Sequence, residues 1–325
     1  FREGVSFGEL CNNFHDYVLG WGVEVETSSV RAFMAALAAS KLIFIDVKNK
    51  DVLPTFLLAL GGYFQGVEAV EAKESWNRPD HLMWTAEGDK YVASGFVNAV
   101  YTALHTPDKN AVAIINKVRT ENLRGYFNDF IRYALFPSES HVWRLNDETA
   151  GTLPHNIRYL LFTENGSGDL PRDMAGASVQ IEMICSAAAA PGEAVEVKPV
   201  SVSGWNDLVK EAREEHYLPE TVWKKIDELI SVINATERFS IGNKSLLQLE
   251  RLTSVLMACG ADESEAFNLA FTAKLAARLK NLEMYARDGG DKKVFGLVEK
   301  LFGDENLSKI QKALTKTATA GQAAK

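Results

Sequence analysis

Phe33-Met-Ala-Ala-Leu-Ala-Ala-Ser-Lys-Leu-Ile-Phe-Ile-Asp-Val-Lys-Asn-Lys-Asp51 is the stretch on which the reading of this chain turns. Its first part completes an apolar helical pattern from Ser28 to Ser40, with Phe33 and Leu37 on one side and Ser28 or Ser29 placed to cap the start. Leu42 to Ile45 is short and wholly apolar, as a strand covered on both faces of a parallel sheet requires. It ends at Asp46. A polar break through Asp51 then separates it from a second helix, Leu53 to Leu60, closed by Gly61-Gly62.

Outward from this unit the alternation continues. Val5 to Gly20 is an amphipathic helix with Phe7, Leu10, Phe14 and Val18 on one face. Strand patterns recur at Gly66–Ala72, Ala111–Ile115, Ser140–Leu145, His155–Thr163 and Val179–Ile184, with Trp76–Trp84 as a loop and helices at Ser94–Leu104 and Leu123–Leu135. Strands alternating with helices predict a three-layer α/β domain with a mostly parallel, five-stranded sheet over residues 1–186. An Ala-, Glu-, Val- and Pro-rich linker is expected at 187–203. Helical patterns alone fill 204–314, from Gly204–Glu214 to Lys292–Phe302, and the Ala/Thr/Lys-rich end at 315–325 is expected to fray.

Composition narrows the function classes. The 325 residues carry 35 Lys+Arg against 43 Asp+Glu, a formal net charge of −8, with 46% hydrophobic residues. That balance disfavours a broad nucleic-acid surface, which needs clustered cations. No apolar run is long enough to span a bilayer, so the expected partners do not include a membrane. Cys11, Cys185 and Cys259 are widely spaced, which argues for buried thiols in a reducing cytoplasm and against a zinc site or disulfide framework. The six histidines show no ligand spacing, and no metal site or cofactor is expected.

The break after the Leu42 strand carries the main chemical information. A phosphate-binding loop needs glycines, so that backbone N–H groups can wrap the anion, and a Lys-Ser/Thr pair opening the next helix. Asp46-Val-Lys-Asn-Lys-Asp51 has no glycine and is about three residues short of such a cradle. Lys50 stands near the usual lysine position, and Asp51 replaces the magnesium-binding hydroxyl with a charge that repels phosphate.

Several segments in order resemble the McrB-like AAA+ ATPases. They are Phe33-Met-Ala-Ala-Leu-Ala38 before the Leu42 strand, Trp76-Asn-Arg-Pro-Asp-His-Leu82, and Ile115 to Ile131, where Tyr126, Phe127, Asp129 and Phe130 keep the family's step without a gap. That register puts Asn116 where the magnesium-orienting Asp belongs and Lys117 where the water-activating Glu belongs. An ammonium cannot accept the proton of an attacking water. Asn156 to Asn165 resembles the sensor-1 strand, with Asn165 at the sensor place. The subunit-boundary Asp-Arg pair becomes Ala175-Gly176, with Arg172 about four residues off register. Arg238 to Lys244 resembles the start of the sensor-2 helix, with Lys244 in the Arg place. Asp147-Glu148 is a second, weaker candidate for the Walker B acids.

The resemblance implies an AAA+ α/β domain followed by an all-helical lid, with a degenerate nucleotide site at Lys50, Asp51, Asn116, Lys117, Asn165 and Lys244. It further implies a catalytically inactive subunit that keeps family surfaces for contact with copies of itself or with an active AAA+ partner. By analogy its setting is a bacterial defence or nucleic-acid-processing complex. Two alternatives stand beside this: a weakly active or partner-assisted ATP/GTP hydrolase, and a nucleic-acid-binding module using Lys274, Arg278 and Lys280.

Overall fold

The computed structural model describes residues 4–87, 89–135, 142–144, 150–164, 170, 172–197, 200–235, 241–283 and 296–297. Helix α1 (Phe7–Gly20) leads through strand β1 (Val23–Val25) into α2 (Thr27–Ala39) and β2 (Leu42–Val47). Next come α3 (Leu53–Tyr63), β3 (Val70–Glu71), the short α4 (Pro79–Met83), β4 (Trp84–Glu87), β5 (Lys90–Ala93) and α5 (Gly95–His105). The chain continues through β6 (Ala111–Val118), α6 (Leu123–Leu135), β7 (Val142–Arg144), β8 (Ala150–Thr152), β9 (Ile157–Thr163), α7 (Arg172–Ala177), β10 (Val179–Met183) and β11 (Cys185–Ala187). Helices α8 (Val202–Glu215), α9 (Glu220–Ala235), α10 (Asn243–Ala258) and α11 (Glu263–Glu283) follow.

Five strands form one sheet in the order β10-β2-β9-β6-β3, every pair parallel. The α/β fold and five-stranded sheet expected from the sequence are therefore present. The expected strand at Ser140–Leu145 instead forms an antiparallel pair, β7 with β8, outside this sheet. The strand at Gly66–Ala72 contracts to Val70–Glu71 at the sheet edge, and α4 forms within the segment read as a loop.

Alternation along the strands divides the core. Ile43 and Ile45 of β2, Val112 and Ile114 of β6, and Leu160 and Phe162 of β9 face one layer, with α1, α2 and α3. Leu42, Phe44, Ala113, Ile115, Tyr159 and Leu161 face the other, with α5, α6 and α7. Period-two side-chain direction makes both faces apolar, so each strand reads as continuously hydrophobic.

Local chemistry fixes the helix ends. Ser6 caps α1 in a reciprocal box: Glu9 N–H donates to Ser6 Oγ (3.2 Å) and Ser6 N–H donates to Glu9 Oε2 (2.7 Å). α2 differs from expectation. It starts at Thr27 without a side-chain cap, because Ser29 Oγ is engaged with β10's end, accepting from Ile184 N–H (3.0 Å) and donating to Glu182 O (3.4 Å). Gly61-Gly62 does not stop α3, which runs to Tyr63. A Cβ at Gly61 would lie 2.2 Å from Val67 O, so this glycine permits close backbone approach.

The helical region follows the sheet as expected, but its core is not separate. Trp205, Leu229, Leu252, Leu256 and Phe271 join the layer that holds α1, α2 and the β2 face. Its junction with the sheet lies at the strands' amino ends. Val202 N–H donates to Asp108 O just before β6, Gln248 Nε2 donates to Ala177 O just before β10, and Lys274 Nζ donates to Ser178 O.

Candidate functional site

The sheet topology singles out one crevice. The chain leaving β2 passes to α3 on one face, whereas the chain leaving its neighbour β9 passes to α7 on the other. Adjacent strands whose connections diverge in this way open a crevice at their carboxyl ends, the usual ligand position in open α/β sheets. Asp46, the loop 48–52, Thr163 and the end of β6 surround it. Among the residues expected from the sequence, Lys50 and Asp51 lie on one side, and Asn116 and Lys117 on the other. Asn165 and the Asp147-Glu148 pair lie outside the described residues.

Lys244 does not join them. Its Nζ donates to Ala134 O near the end of α6 (2.7 Å), and it lines a cavity with Lys41, the residue before β2. Six strand residues at roughly 3.3 Å each put that cavity about 20 Å from the carboxyl-end crevice. The sensor-2 assignment of Lys244 is thus corrected. Spacing along the chain located the helix but not the end of the sheet it meets.

Some backbone donors at the crevice are engaged within the protein. Asp51 N–H donates to Asn49 Oδ1 (3.1 Å), and Leu53 N–H donates to Lys50 O (3.3 Å). Pro54 in the first turn of α3 has no N–H to offer. A helix N-terminus holds phosphate through exactly these free amides and its positive end. The chemical consequence of Pro54 is the loss of an anion donor.

The crevice cations are held internally. Lys48 Nζ lies 2.5 Å from Asp46 Oδ2 and 2.8 Å from Glu182 Oε1. Burial acts to lower the Lys48 pKa, but hydrogen bonds to Asp46 and Glu182 outweigh it and hold the ammonium above its ordinary value. Lys50 Nζ reaches Asp46 Oδ1 (3.3 Å) and Thr163 O (3.2 Å). Across the crevice, Lys117 pairs with Glu71 (2.9 Å), and Arg119 pairs with Glu164 (2.6 Å) and Glu74. Five carboxylates are paired with four cations here. The balance repels a triphosphate. Arg119 and its two glutamates were missed from sequence because their three positions are distant along the chain.

Asn116 and Lys117 form a bulge. Ile115 pairs with Leu161 and Val118 with Thr163, so two residues of β6 oppose one of β9. Lys117 takes φ 55°, unusual for a residue with a side chain, and its ammonium turns toward the β3 edge. Asn116 is buried, and its carbonyl accepts from Ala72 N–H (2.9 Å).

The other segments that carry the resemblance make packing and surface contacts. Trp76 is buried edge-on against Tyr126 (5.3 Å between centroids), whereas Asp80 pairs with Arg78 at the surface (2.5 Å). Ala175 and Gly176, in the boundary-pair positions, offer carbonyls to Lys274 (3.3 and 2.9 Å). Lys274 is only 3% exposed. It therefore cannot belong to a nucleic-acid-facing surface, which corrects that alternative at its first residue. The side chains of Arg278 and Lys280 lie outside the described residues. Among the described residues, no group of three or more His, Cys, Asp and Glu could hold a metal ion, and no helix is long and apolar enough to cross a membrane. The three cysteines are free and buried.

No family model matches this chain, and no curated protein matches it. Among solved structures, it is similar to a candidate ATPase from Cytophaga hutchinsonii ATCC 33406, with 9% identity and a TM-score of 0.48 over 82% of this chain and 87% of the other. Likeness at that level carries neither activity nor mechanism across.

Proposed function

We propose that this chain is a degenerate McrB-like AAA+ domain that does not hydrolyse nucleotide and acts as a structural or adaptor subunit in a protein assembly. The observation that carries the reading is the carboxyl-end crevice. Where the resemblance calls for two acids, it has Asn116 and Lys117, and its cations are committed to Asp46, Glu71, Glu74, Glu164 and Glu182. Hydrolysis needs a metal anchor, a base for the water and donors to the phosphates. A crevice without an acid on β6, with Asp46, Glu71, Glu74, Glu164 and Glu182 paired to cations and with part of its loop amides engaged, is poorly equipped for all three. The sheet and its flanking layers are intact, which supports a role that depends on the folded body and not on the chemistry of the crevice.

The test combines two measurements on the purified chain. Phosphate release from Mg·ATP and Mg·GTP is expected to stay at the protein-free rate, and light scattering is expected to show self-association or a stable complex with an active AAA+ subunit. Turnover above background contradicts the inactive assignment. A chain that stays monomeric and binds no AAA+ subunit contradicts the adaptor role.

A further inference from the structure

At the opposite end of the sheet, a cavity of about 200 Å³ opens between the end of α2, the start of β9 and α10. Four cationic residues line it: Lys41, Arg158, Lys244 and Arg251. Among the described lining residues there is no carboxylate, although the chain carries 43 acids against 35 Lys and Arg. Glu250, the neighbour of Arg251, instead pairs with Arg213 of α8 (3.0 Å).

Part of this arrangement is ordinary helix capping. Arg158 is 8% exposed. Its Nε donates to Leu37 O near the end of α2 (2.5 Å), its Nη1 donates to Asn110 Oδ1 (3.0 Å), and its guanidinium lies 5.6 Å from the Trp205 ring centroid. Lys41 Nζ donates to His155 O (2.5 Å). Carbonyl and ring partners supply partial charge only, and burying cations without a full countercharge is unfavourable. Burial also acts on the protonation of the cations that line the cavity. Burial, reinforced by Arg158, holds Lys41 down at about 7, and burial alone holds Lys244 at about 8. Arg251 is lowered by burial and by Arg213, with Glu250 acting the other way. Two further polar atoms are unmatched among the described residues: Arg251 Nε, and Oε1 of Gln248, which is only 6% exposed.

We propose that this cavity is a binding site for a compact oligophosphate anion, held by the Lys41 ammonium and the Arg158 and Arg251 guanidinium groups. A multiply charged anion supplies a countercharge that the described lining residues do not, and its several oxygens suit planar guanidinium donors. The volume admits a di- or triphosphate group rather than a whole dinucleotide. The site is independent of the carboxyl-end crevice and of the function proposed for it.

Calorimetric titration of the full chain with pyrophosphate and tripolyphosphate, at constant ionic strength, tests the proposal. Saturable binding is expected, weaker for inorganic phosphate. Lys41→Met and Arg251→Gln should each weaken it about tenfold, the loss of one charge-assisted contact. A Lys48→Gln/Lys50→Gln variant should bind as the parent does. No saturable binding, or binding untouched by Lys41→Met and Arg251→Gln, overturns the proposal. So does tighter binding of single-stranded DNA than of tripolyphosphate, which would make the surface a nucleic-acid contact. If either variant fails to fold, hydrogen exchange of the parent decides. Protection of residues 37–41 and 244–251 by pyrophosphate is expected, and unchanged exchange overturns the site.

Discussion

Lys117 holds φ 55° at the β6 bulge, a conformation that costs a residue with a Cβ of order 1 kcal/mol. Lys117→Gly should leave stability within about 0.5 kcal/mol of the parent, whereas the β-branched Lys117→Val should cost about 2 kcal/mol, both read from urea midpoints. Lys41 makes a prediction in pH. Its folded value of about 7 lies far below the ordinary 10.5, so between these limits the unfolded chain binds more protons than the folded one. Stability of the anion-free protein should therefore rise with pH from neutral to about pH 9, with Lys244 adding in the same direction. Lys41→Met should raise the midpoint at neutral pH and flatten that rise; a slope unchanged by the substitution would contradict the assignment. At this scale the sequence was informative where side-chain period carried the signal. Tyr126, Phe127 and Phe130, read as part of the α6 helix, are all buried in it. Positive φ was not legible, since a lysine gives none of the signs that a glycine or asparagine would.

At the scale of elements, α3 shows how one helix start decides what a crevice can hold. Its loop uses two amides in its own turn and Pro54 removes a third, which leaves fewer donors for an anion at the helix start. Gly61 fixes its other end against Val67. Gly61→Ala should destabilise the protein by about 1–3 kcal/mol through that clash, despite alanine's better helix propensity, with a lowered melting temperature as the readout. A rise in melting temperature would show that the helix can shift. The two glycines resembled a stop because sequence does not reveal which backbone a helix must touch. The polar loop and the absence of glycine before α3 were, by contrast, plain from composition. Ser29 was misread for a related reason: a serine near a helix start caps it only if no other strand claims the hydroxyl, and here Ile184 does.

Across the whole molecule, charge is divided between the two ends of one sheet. The carboxyl ends of β2, β6 and β9 carry excess acid, and the amino ends of β2 and β9 carry the cationic cavity. The alternating α/β pattern and the later helices were legible, because both sheet faces are apolar and because the helical repeat is long. The end of the sheet against which those helices pack was not, and Lys244 went astray with it. The shared core of α1, α2, β2 and α8 to α11 predicts that far-ultraviolet dichroism and tryptophan fluorescence report coincident unfolding transitions. Two separated transitions would mean that the helical region folds as its own unit. The central claim, that the carboxyl-end crevice holds no triphosphate with its magnesium, is tested most directly by hydrogen exchange of residues 48–55 and 115–119 with and without millimolar Mg·ATP. Exchange at these amides should be the same in both conditions. Mg²⁺-dependent protection there, abolished by Lys50→Ala, would contradict the account.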